Sequence, residues 1–231
     1  MKRIVFLTGA GISAESGIRT FRDSDGLWEQ YPVEEVASIE GYYRNPGLVL
    51  DFYNARRRQL LEVEPNEAHR LVAALEAEYE VIVVTQNVDD LHERGGSSHI
   101  IHLHGELLKA CSSREPNDSR YIESVAADRR ICLGDKAGDG SQLRPYIVWF
   151  GEDVPKIESA AAVISQTDIL VIVGTSLNVY PAAGLLHYAP RHAEVYLIDP
   201  NPVKVHSLHP IQVIAKGAVA GMQELYERLT C

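Results

Sequence analysis

The chain of 231 residues has few of the residues that build disulfide frameworks or membrane spans. Its 3 cysteines, Cys111, Cys132 and Cys231, are odd in number and widely spaced, so they imply no disulfide framework. The longest apolar run, near 169–173, is far shorter than the ~20 residues that a membrane helix needs. The first apolar stretch is also too short for a signal peptide, so we expect a cytoplasmic protein with no membrane partner.

Positive charge is also scarce in this sequence. Lys and Arg number 22 against 32 Asp and Glu, which gives a formal net charge of −10. Nonspecific binding to nucleic acid depends on clustered Lys and Arg that neutralise phosphates, so we expect no nucleic-acid partner. A basic peptide suits this charge balance better. The apolar fraction of 45% is that of an ordinary globular protein.

Short β-forming runs alternate with helical patterns along most of the chain. The runs are mostly continuous and apolar, as in strands buried on both faces, which predicts an α/β fold with a Rossmann-like, doubly wound parallel sheet. The predicted strands are 3–8, 81–85, 100–103, 146–149, 169–173, 195–199 and 212–214. The predicted helices are 67–78, 157–165 and 219–229.

Two segments interrupt this alternation. The first, 29–65, contains a helical pattern at 47–64, and the second, 109–144, is polar and rich in Ser, Asp and Gly. We expect these two segments to form a small domain. The larger, Rossmann-like domain then consists of 1–28, 66–108 and 145–231.

A glycine-rich turn follows the first predicted strand. A turn without bulky side chains lets the backbone approach phosphate groups, and the N-terminus of a following helix favours them. The full dinucleotide fingerprint would have a third glycine where this chain has Ala14. The candidates for contact with a nucleotide here are Gly9, Ala10, Gly11, Ser13, Glu15, Phe21 and Arg22.

Polar residues also follow other predicted strands, at the carboxyl edge where parallel sheets bind ligands. Amides, hydroxyls and carboxylates in these positions fit ribose hydroxyls and a carboxamide, although a polar helix-capping turn uses the same residue types. The candidates are Gln86, Asn87 and Asp89 after 81–85, Gly174, Thr175 and Ser176 after 169–173, and Asp199 at the end of 195–199.

His104 ends the run 100–103 and precedes Gly105. An imidazole has an unperturbed pKa near ~6.5, so it can accept a proton at neutral pH and suits a general base. A lone histidine is more often a surface or core residue, and the assignment therefore depends on its neighbours. We interpret His102 as structural, because it points to the opposite face of a strand.

Taken in order, these motifs resemble the sirtuin family of NAD-dependent protein lysine deacylases. The resemblance covers nearly the whole chain, through 9–22, 85–92, His104-Gly105, Phe150-Gly151-Glu152 and 174–176. It implies that NAD is consumed as a co-substrate and that acyl-lysine proteins or peptides are the substrates. The small domain would pack beside the larger one and leave a cleft for both.

The resemblance also implies roles for single residues. The catalytic residues would be His104, as the base toward a ribose hydroxyl of NAD, and Asn87, which would contact the nicotinamide ribose and water. Asp89 would hold the nicotinamide amide. Phe21 would shield the site, and Arg22 would lie near the phosphates. The segment that pairs with the substrate peptide as an added strand would comprise Val148, Phe150, Gly151 and Glu152, for which a simple exposed turn is the alternative.

The sequence departs from the family pattern most clearly in its cysteines. The family typically has two cysteine pairs that bind a structural zinc, whereas here Ser-Ser-Arg follows Cys111 and Leu-Gly-Asp follows Cys132. Because zinc prefers four N or S ligands, the segment 109–144 argues against zinc, and we predict no metal site. Milder departures are Arg19, where the family usually has Pro, and Asp199, where it usually has Asn.

Tyr53 and Arg56 are three residues apart in the predicted helix 47–64, which puts them on one face. Arg binds carboxylates through paired N–H donors, and a Tyr hydroxyl can add another. On spacing alone a solvated basic face, continued by Arg57 and Arg58, is the better interpretation. The spacing resembles that of the sirtuin subgroup that removes succinyl and other acidic acyl groups. On that basis we expect succinyl-lysine as a substrate, with acetyl-lysine processed to some degree.

Three other functions stay open on the sequence. A mono-ADP-ribosyltransferase would use the same cleft with a different acceptor. A noncatalytic, NAD-responsive binding module is favoured by the broken cysteine pairs and opposed by the presence of His104 and Asn87. A hydride-transferring dehydrogenase is the general alternative for a Rossmann-like fold, which the missing third glycine disfavours.

Overall fold

The structure is a computed structural model that describes residues 1–18, 31–202 and 209–230. Its centre is a six-stranded parallel sheet in the order β3-β2-β1-β7-β8-β9. Renumbered within the sheet, this is the doubly wound order 3-2-1-4-5-6, so the predicted fold class is confirmed. The strands are β1 (Arg3–Thr8), β2 (Glu80–Thr85), β3 (Ile100–His102), β7 (Ile169–Val173), β8 (Glu194–Ile198) and β9 (Ile211–Ile214).

Both faces of the sheet are covered, which explains why its strands are continuous apolar runs. Successive residues of β1 point alternately into two separate cores. Helices Glu67–Ala74 and Ala218–Thr230 cover one face, and helix Ile157–Ile164 with the 3₁₀ helix Ala182–Tyr188 covers the other. In the described ranges, no helix combines the length and the apolar character that crossing a membrane requires.

The predicted strand 146–149 is wrong in its place in the fold. The strand there is β6 (Leu143–Ile147), which pairs antiparallel with β4 (Gly105–Ser112) instead of joining the parallel sheet. β5 (Glu123–Ser124) completes a three-stranded sheet in the order β5-β4-β6. The sequence patterns did not predict β4, because it mixes polar and apolar residues and its register with β6 is irregular.

Helices from the first interrupting segment pack on this small sheet. They are Val33–Val36, Ile39–Arg44 and Pro46–Gln59. The last begins where it does because the Asn45 side chain accepts a hydrogen bond from Leu48 N at 3.2 Å and Pro46 opens the first turn. We call these helices together with the three-stranded sheet and its connecting loops the small module. Its aromatic core includes Tyr42, Phe52, Tyr53 and Trp149.

Candidate functional site

The glycine turns at the carboxyl ends of β1 and β7 pack directly against each other. Gly9 N donates to Val173 O at 3.0 Å, and Gly11 N donates to Gly174 O at 2.8 Å. A Cβ added to Gly11 would lie 2.5 Å from the Gly174 Cα, and one added to Gly174 would lie 2.4 Å from Ile12 N. Both positions therefore require glycine. They form the floor of the crevice where the strand order reverses, the usual ligand site of such sheets.

Ser13 connects the glycine turn with the polar residues that follow β2. Its hydroxyl donates to Asp89 Oδ2 at 3.1 Å and accepts from Asn87 Nδ2 at 3.1 Å. Thr85 Oγ1 accepts from Asn87 N at 3.0 Å, and Asp89 Oδ1 accepts from Leu91 N at 3.1 Å. Burial raises the pKa of Asp89, against the hydrogen bonds from Leu91 and Ser13 that lower it. The structure thus brings three of the predicted site residues into one hydrogen-bonded group.

His104 lies beside this group in the turn that connects β3 to β4. Its Nδ1 is 3.1 Å from Gln86 O, and because a carbonyl oxygen only accepts, Nδ1 carries the proton. The lone pair of the neutral ring is then on Nε2. Burial lowers the pKa of His104, opposed by the hydrogen bond to Gln86, so the neutral ring prevails at pH 7. Gln86 Nε2 in turn donates to Thr175 Oγ1 at 3.1 Å, which links the histidine to the turn after β7.

His102 contacts the main chain of Asn87 and the side chain of Glu93. Its Nδ1 is 3.2 Å from Asn87 O and its Nε2 is 2.7 Å from Glu93 Oε1. Burial lowers the pKa of His102, but Glu93, Glu106 and the hydrogen bond to Asn87 together raise it, and the net shift is upward. Glu93, His102 and Glu106 form the one cluster of metal-binding residue types within the described ranges. Lys109 already pairs with Glu106 at 2.8 Å, so ion pairs account for this cluster.

Two buried histidines that the sequence patterns did not single out lie behind Ser13. His69 Nε2 is 3.5 Å from Ser13 Oγ, and His92 Nε2 is 3.1 Å from Thr8 Oγ1. Their ring centroids are 5.0 Å apart. Burial lowers the pKa of His69 to about 4 and that of His92 well below its ordinary value. The available signal was a histidine on the apolar face of the predicted helix 67–78.

The remaining nucleotide candidates are less closely grouped. Thr175 and Asp199 are buried, and Asp199 Oδ1 accepts from Asn201 N at 2.8 Å, while Ser176 is half-buried. The exposed Glu15 accepts from Val219 N at 2.9 Å, so its carboxylate caps the helix Ala218–Thr230. Phe21, Arg22 and Arg19 lie outside the described residues.

Tyr53 and Arg56 lie on helix Pro46–Gln59, on the side that faces Trp149 and Asp89. Tyr53 is 3% exposed, and burial raises its pKa to about 12. Its ring centroid is 6.0 Å from that of Trp149. Burial lowers the pKa of the half-buried Arg56, whereas electrostatic interaction with Tyr53 and Asp89 raises it. The acyl-group candidates are therefore within electrostatic reach of the nicotinamide candidate.

The alternative of a solvated basic face fails at Arg57, which is 0% exposed. Its Nε donates to Leu107 O at 2.8 Å, and its Nη1 donates to Asn54 Oδ1 at 3.0 Å and to Arg129 O at 2.9 Å. Burial lowers the pKa of Arg57 to about 10. Arg57 thus connects the helix to the loops of the small module. Of Arg56, Arg57 and Arg58, only Arg58 is exposed.

The predicted peptide-binding segment runs beside the candidate base. Val148 N donates to His104 O at 2.9 Å. Phe150 N donates to Ala37 O at 2.9 Å and Phe150 O accepts from Ile39 N at 3.0 Å, while the residue is 52% exposed. The main chain of Phe150 is thus already paired within the protein, and its ring is the part that can meet a ligand. Gly151, with a φ of +91°, follows in a tight turn, and both Glu152 carboxylate oxygens bind Arg144.

The structural zinc that the resemblance implies does not fit the small module. Cys111 is buried in β4, and burial raises its pKa to about 11, which disfavours the thiolate that zinc binds. Cys132 is exposed, and no described group of suitable spacing contains either cysteine. Side-chain hydrogen bonds connect the loops here instead. They join Ser112 to Asp139 at 2.7 Å, Ser141 to Asp139 at 2.7 Å, and Gln142 to Cys132 O at 2.9 Å.

Comparison with known proteins identifies related sequences and structures. The profile of the Sir2 family matches residues 9–181. An "NAD-dependent protein deacylase" of Bacteroides thetaiotaomicron is 63% identical over 230 residues, which cover 99% of this chain and 98% of the relative. One of Helicobacter pylori (strain 26695) is 54% identical over 229 residues, covering 99% and 98%. A solved Sir2 homologue in complex with NAD is 36% identical, with a TM-score of 0.87 over 99% of this chain and 89% of that one.

Proposed function

The chain belongs to the Sir2 family, and from that premise we propose that it is an NAD-dependent protein deacylase acting on acyl-lysine side chains. The main support is a set of hydrogen-bonded side chains beside the paired glycine turns of a doubly wound sheet. Ser13 links Asn87 with Asp89, and Gln86 links His104 with Thr175. A binding module without catalysis would not need a histidine whose Nδ1 proton is held by Gln86 O, which leaves Nε2 as the basic nitrogen. We expect the enzyme to act in the cytoplasm, on proteins and not on nucleic acids.

The residues present fit NAD. The glycine floor leaves no room for a Cβ at Gly11 or Gly174, so the main chain there can lie close to a pyrophosphate. Asn87 and Asp89 supply amide and carboxylate groups for a ribose and a carboxamide. When bound, NAD supplies the acceptor of the acyl group and leaves as nicotinamide and an acylated ADP-ribose.

The protein's own part in the reaction is to orient groups and to move one proton. We infer that Nε2 of His104 accepts the proton of a ribose hydroxyl, because Nδ1 is already protonated and held by Gln86 O. The lowered pKa of His104 keeps the ring neutral, which is the form that a base requires. Ser13 fixes the side-chain amide of Asn87 and the carboxylate of Asp89 in one orientation, which favours a single pose of the nicotinamide riboside.

We also propose that acidic acyl groups, succinyl first, bind to Tyr53 and Arg56. The half-buried guanidinium of Arg56 can pair with a carboxylate where water is limited, and the buried Tyr53 lies close enough to affect the pKa of Arg56. Acetyl-lysine would use the same pocket without engaging the arginine. The segment Val148 to Glu152 would hold the peptide chain next to His104.

The test is to incubate the protein with NAD and acetyl-, propionyl-, succinyl- and glutaryl-lysine peptides and to measure product masses. We expect free lysine peptide, nicotinamide and acyl-ADP-ribose in equal amounts. A peptide that gains the mass of ADP-ribose would support ADP-ribosyl transfer instead. Retention of intact NAD with every peptide would contradict the enzymatic proposal, and His104→Ala serves as the inactive control.

A further inference from the structure

A buried ion pair joins β6 to the segment that follows it. The side chain of Arg144 is 2% exposed and that of Glu152 is 17% exposed. Two hydrogen bonds of 2.9 Å connect Arg144 Nη1 to Glu152 Oε1 and Nη2 to Oε2. Burial lowers the pKa of Arg144, but the hydrogen bonds and charge of Glu152 contribute to a net rise, so the guanidinium stays charged. A bidentate ion pair of this kind fixes both side chains in one geometry.

The pair also fixes Trp149 by its ring and by its main chain. The Arg144 Cζ lies 3.9 Å from the centroid of the Trp149 ring, and Glu152 Oε2 accepts from Trp149 N at 2.9 Å. Arg144 Nη2 donates in addition to Ile147 O at 3.0 Å. Because Trp149 is 2% exposed, the contact between cation and ring is largely shielded from water, where it is strongest. The plane of the indole ring therefore depends on the ion pair.

Trp149 lies between this ion pair and the residues that we assign to the acyl group. Its ring centroid is 4.8 Å from that of Tyr42 and 6.0 Å from that of Tyr53. Closely packed interiors transmit small displacements, so a tilt of the indole ring would move the buried Tyr53. The next residue, Phe150, follows Trp149 directly in the chain and exposes its side chain, so the same tilt would reorient the part of the predicted peptide-binding segment that can meet a ligand.

We propose that Arg144 and Glu152 are positioning residues for the acyl-lysine substrate. They hold Trp149 in place, and through it Tyr53 and the segment that accepts the peptide. Neither residue contacts the reacting atoms. Among the described residues, the hydrogen bonds of this pair do not reach the Ser13, Asn87 and Asp89 group, so its effect falls on the peptide and not on NAD. The proposal rests on the deacylase function given above.

The decisive variant replaces the pair by apolar residues of similar length, Arg144→Met with Glu152→Leu. Removing both charges together often leaves a fold stable, whereas removing one charge leaves its partner buried and unpaired. We expect KM for acetyl-lysine and succinyl-lysine peptides to rise about tenfold, because small misplacements of a binding segment are costly. KM for NAD should stay within about twofold of the wild-type value, since ground-state contacts with NAD are unchanged.

A milder variant and a matched control complete the test. Arg144→Lys keeps the charge but loses the fork and the stacking on Trp149, so it should raise the peptide KM in the same direction. In a Trp28→Phe background Trp149 is the single tryptophan, and its emission should change in Arg144→Lys. The control is the exposed pair of Arg130 and Asp51, joined at 2.6 Å, changed to Met and Leu. We expect wild-type KM values there.

The outcomes separate this proposal from the one on which it rests. A folded double variant with wild-type peptide KM would overturn it, as would unchanged Trp149 emission in Arg144→Lys. If the double variant does not fold, Arg144→Lys decides by the same KM criterion. If Arg56→Met leaves succinyl selectivity intact while the double variant still raises KM for acetyl peptides, the acidic-acyl proposal fails and the positioning pair stands. An inactive wild type would contradict the deacylase function, and Trp149 emission would then still test the pair.

Discussion

The carboxyl edge of the parallel sheet and the small module solve the burial of polar groups in different ways. At the sheet edge, neutral hydroxyls and amides meet each other, as with Ser13 and Asn87, and two histidines are buried uncharged. In the small module, guanidinium groups are buried, with Arg57 donating to carbonyl oxygens and Arg144 to a carboxylate. The sheet edge is therefore suited to proton transfer, and the module to holding loops in place.

This difference has a physical cause. A parallel sheet supplies its own framework, since β1 is paired on both sides and its ends need only short contacts to the following turns. The small module has a three-stranded sheet with a two-residue edge strand, which leaves long loops to be fixed by side chains. Long, multiply donating side chains such as arginine reach several carbonyl groups at once. Substitutions in the two regions should therefore have different consequences for the protein.

The largest expected effect is on chemistry at the sheet edge. His104→Ala should lower kcat by about 10²–10⁴-fold, the usual cost of losing a general base. NAD affinity, measured by calorimetry, should change little, because our proposal assigns cofactor binding to the glycine turns and the Asn87 group and not to His104. His99→Ala, an exposed histidine on the same part of the chain, is the matched control. Turnover close to wild type in His104→Ala would contradict the assignment of the base.

In the small module the expected effect is on stability. Arg57→Met should lower the free energy of unfolding by about 2 kcal/mol, because buried carbonyl groups of Leu107 and Arg129 lose their donor. Arg58→Met, the exposed neighbour, should have no measurable effect. Urea unfolding of both variants makes the comparison. Equal stability of the two would show that the buried hydrogen bonds of Arg57 contribute nothing.

The contrast between the regions also shows what the sequence could predict. Strands buried on both faces give continuous apolar runs, so the parallel sheet and the glycine turn were evident. Strand β4 was not, since half-polar strands with irregular register have no clear period. The burial of Arg57 could not be predicted either, because its acceptors are main-chain carbonyls 50 and 72 positions away, which a local pattern does not register. The polar residues around Asn87 were recognised through family motifs. Only the structure shows that Ser13 links Asn87 to Asp89 by hydrogen bonds.

The buried histidines make the sheet edge sensitive to acid. The folded-state pKa of His69 is lowered to about 4, so between about pH 6.5 and 4 the unfolded chain binds a proton that the folded protein does not. Stability should therefore fall as the pH falls through this window. We expect a loss of about 2 kcal/mol between pH 7 and 5 from His69.

Urea unfolding at a series of pH values measures this loss. His69→Gln should flatten the profile, while His99→Gln, which removes an exposed histidine, should leave its slope unchanged. The same slope in wild type and His69→Gln would exclude His69 as the source of acid sensitivity. A wild-type loss larger than about 2 kcal/mol, the loss expected from His69, would indicate that His92, whose pKa is lowered too, also contributes.

Where the two regions meet, the expected effect is on selectivity. Arg56→Met should lower the ratio of kcat/KM for succinyl over acetyl peptides by about tenfold or more, since a hydrogen-bonded charge pair is worth about 1.5–3 kcal/mol. Activity on acetyl peptides should be nearly unchanged. Arg58→Met is again the control, as it has the same chemistry on the exposed face of the same helix. A ratio that does not fall would mean that Arg56 is not the anchor of the acyl carboxylate.

The smallest expected effect is that of removing metal. If hydrogen bonds through Asp139, Ser112 and Gln142 hold the loops of the small module, a chelator should change neither the melting temperature nor the deacylase activity. Asp139→Ala should lower stability without any metal being involved, because Ser112 and Ser141 both lose a hydrogen-bond acceptor at 2.7 Å. Metal analysis of the purified protein makes the comparison direct. One zinc per chain, lost on chelation together with stability, would mean that carboxylates or another chain complete a site with Cys111 or Cys132.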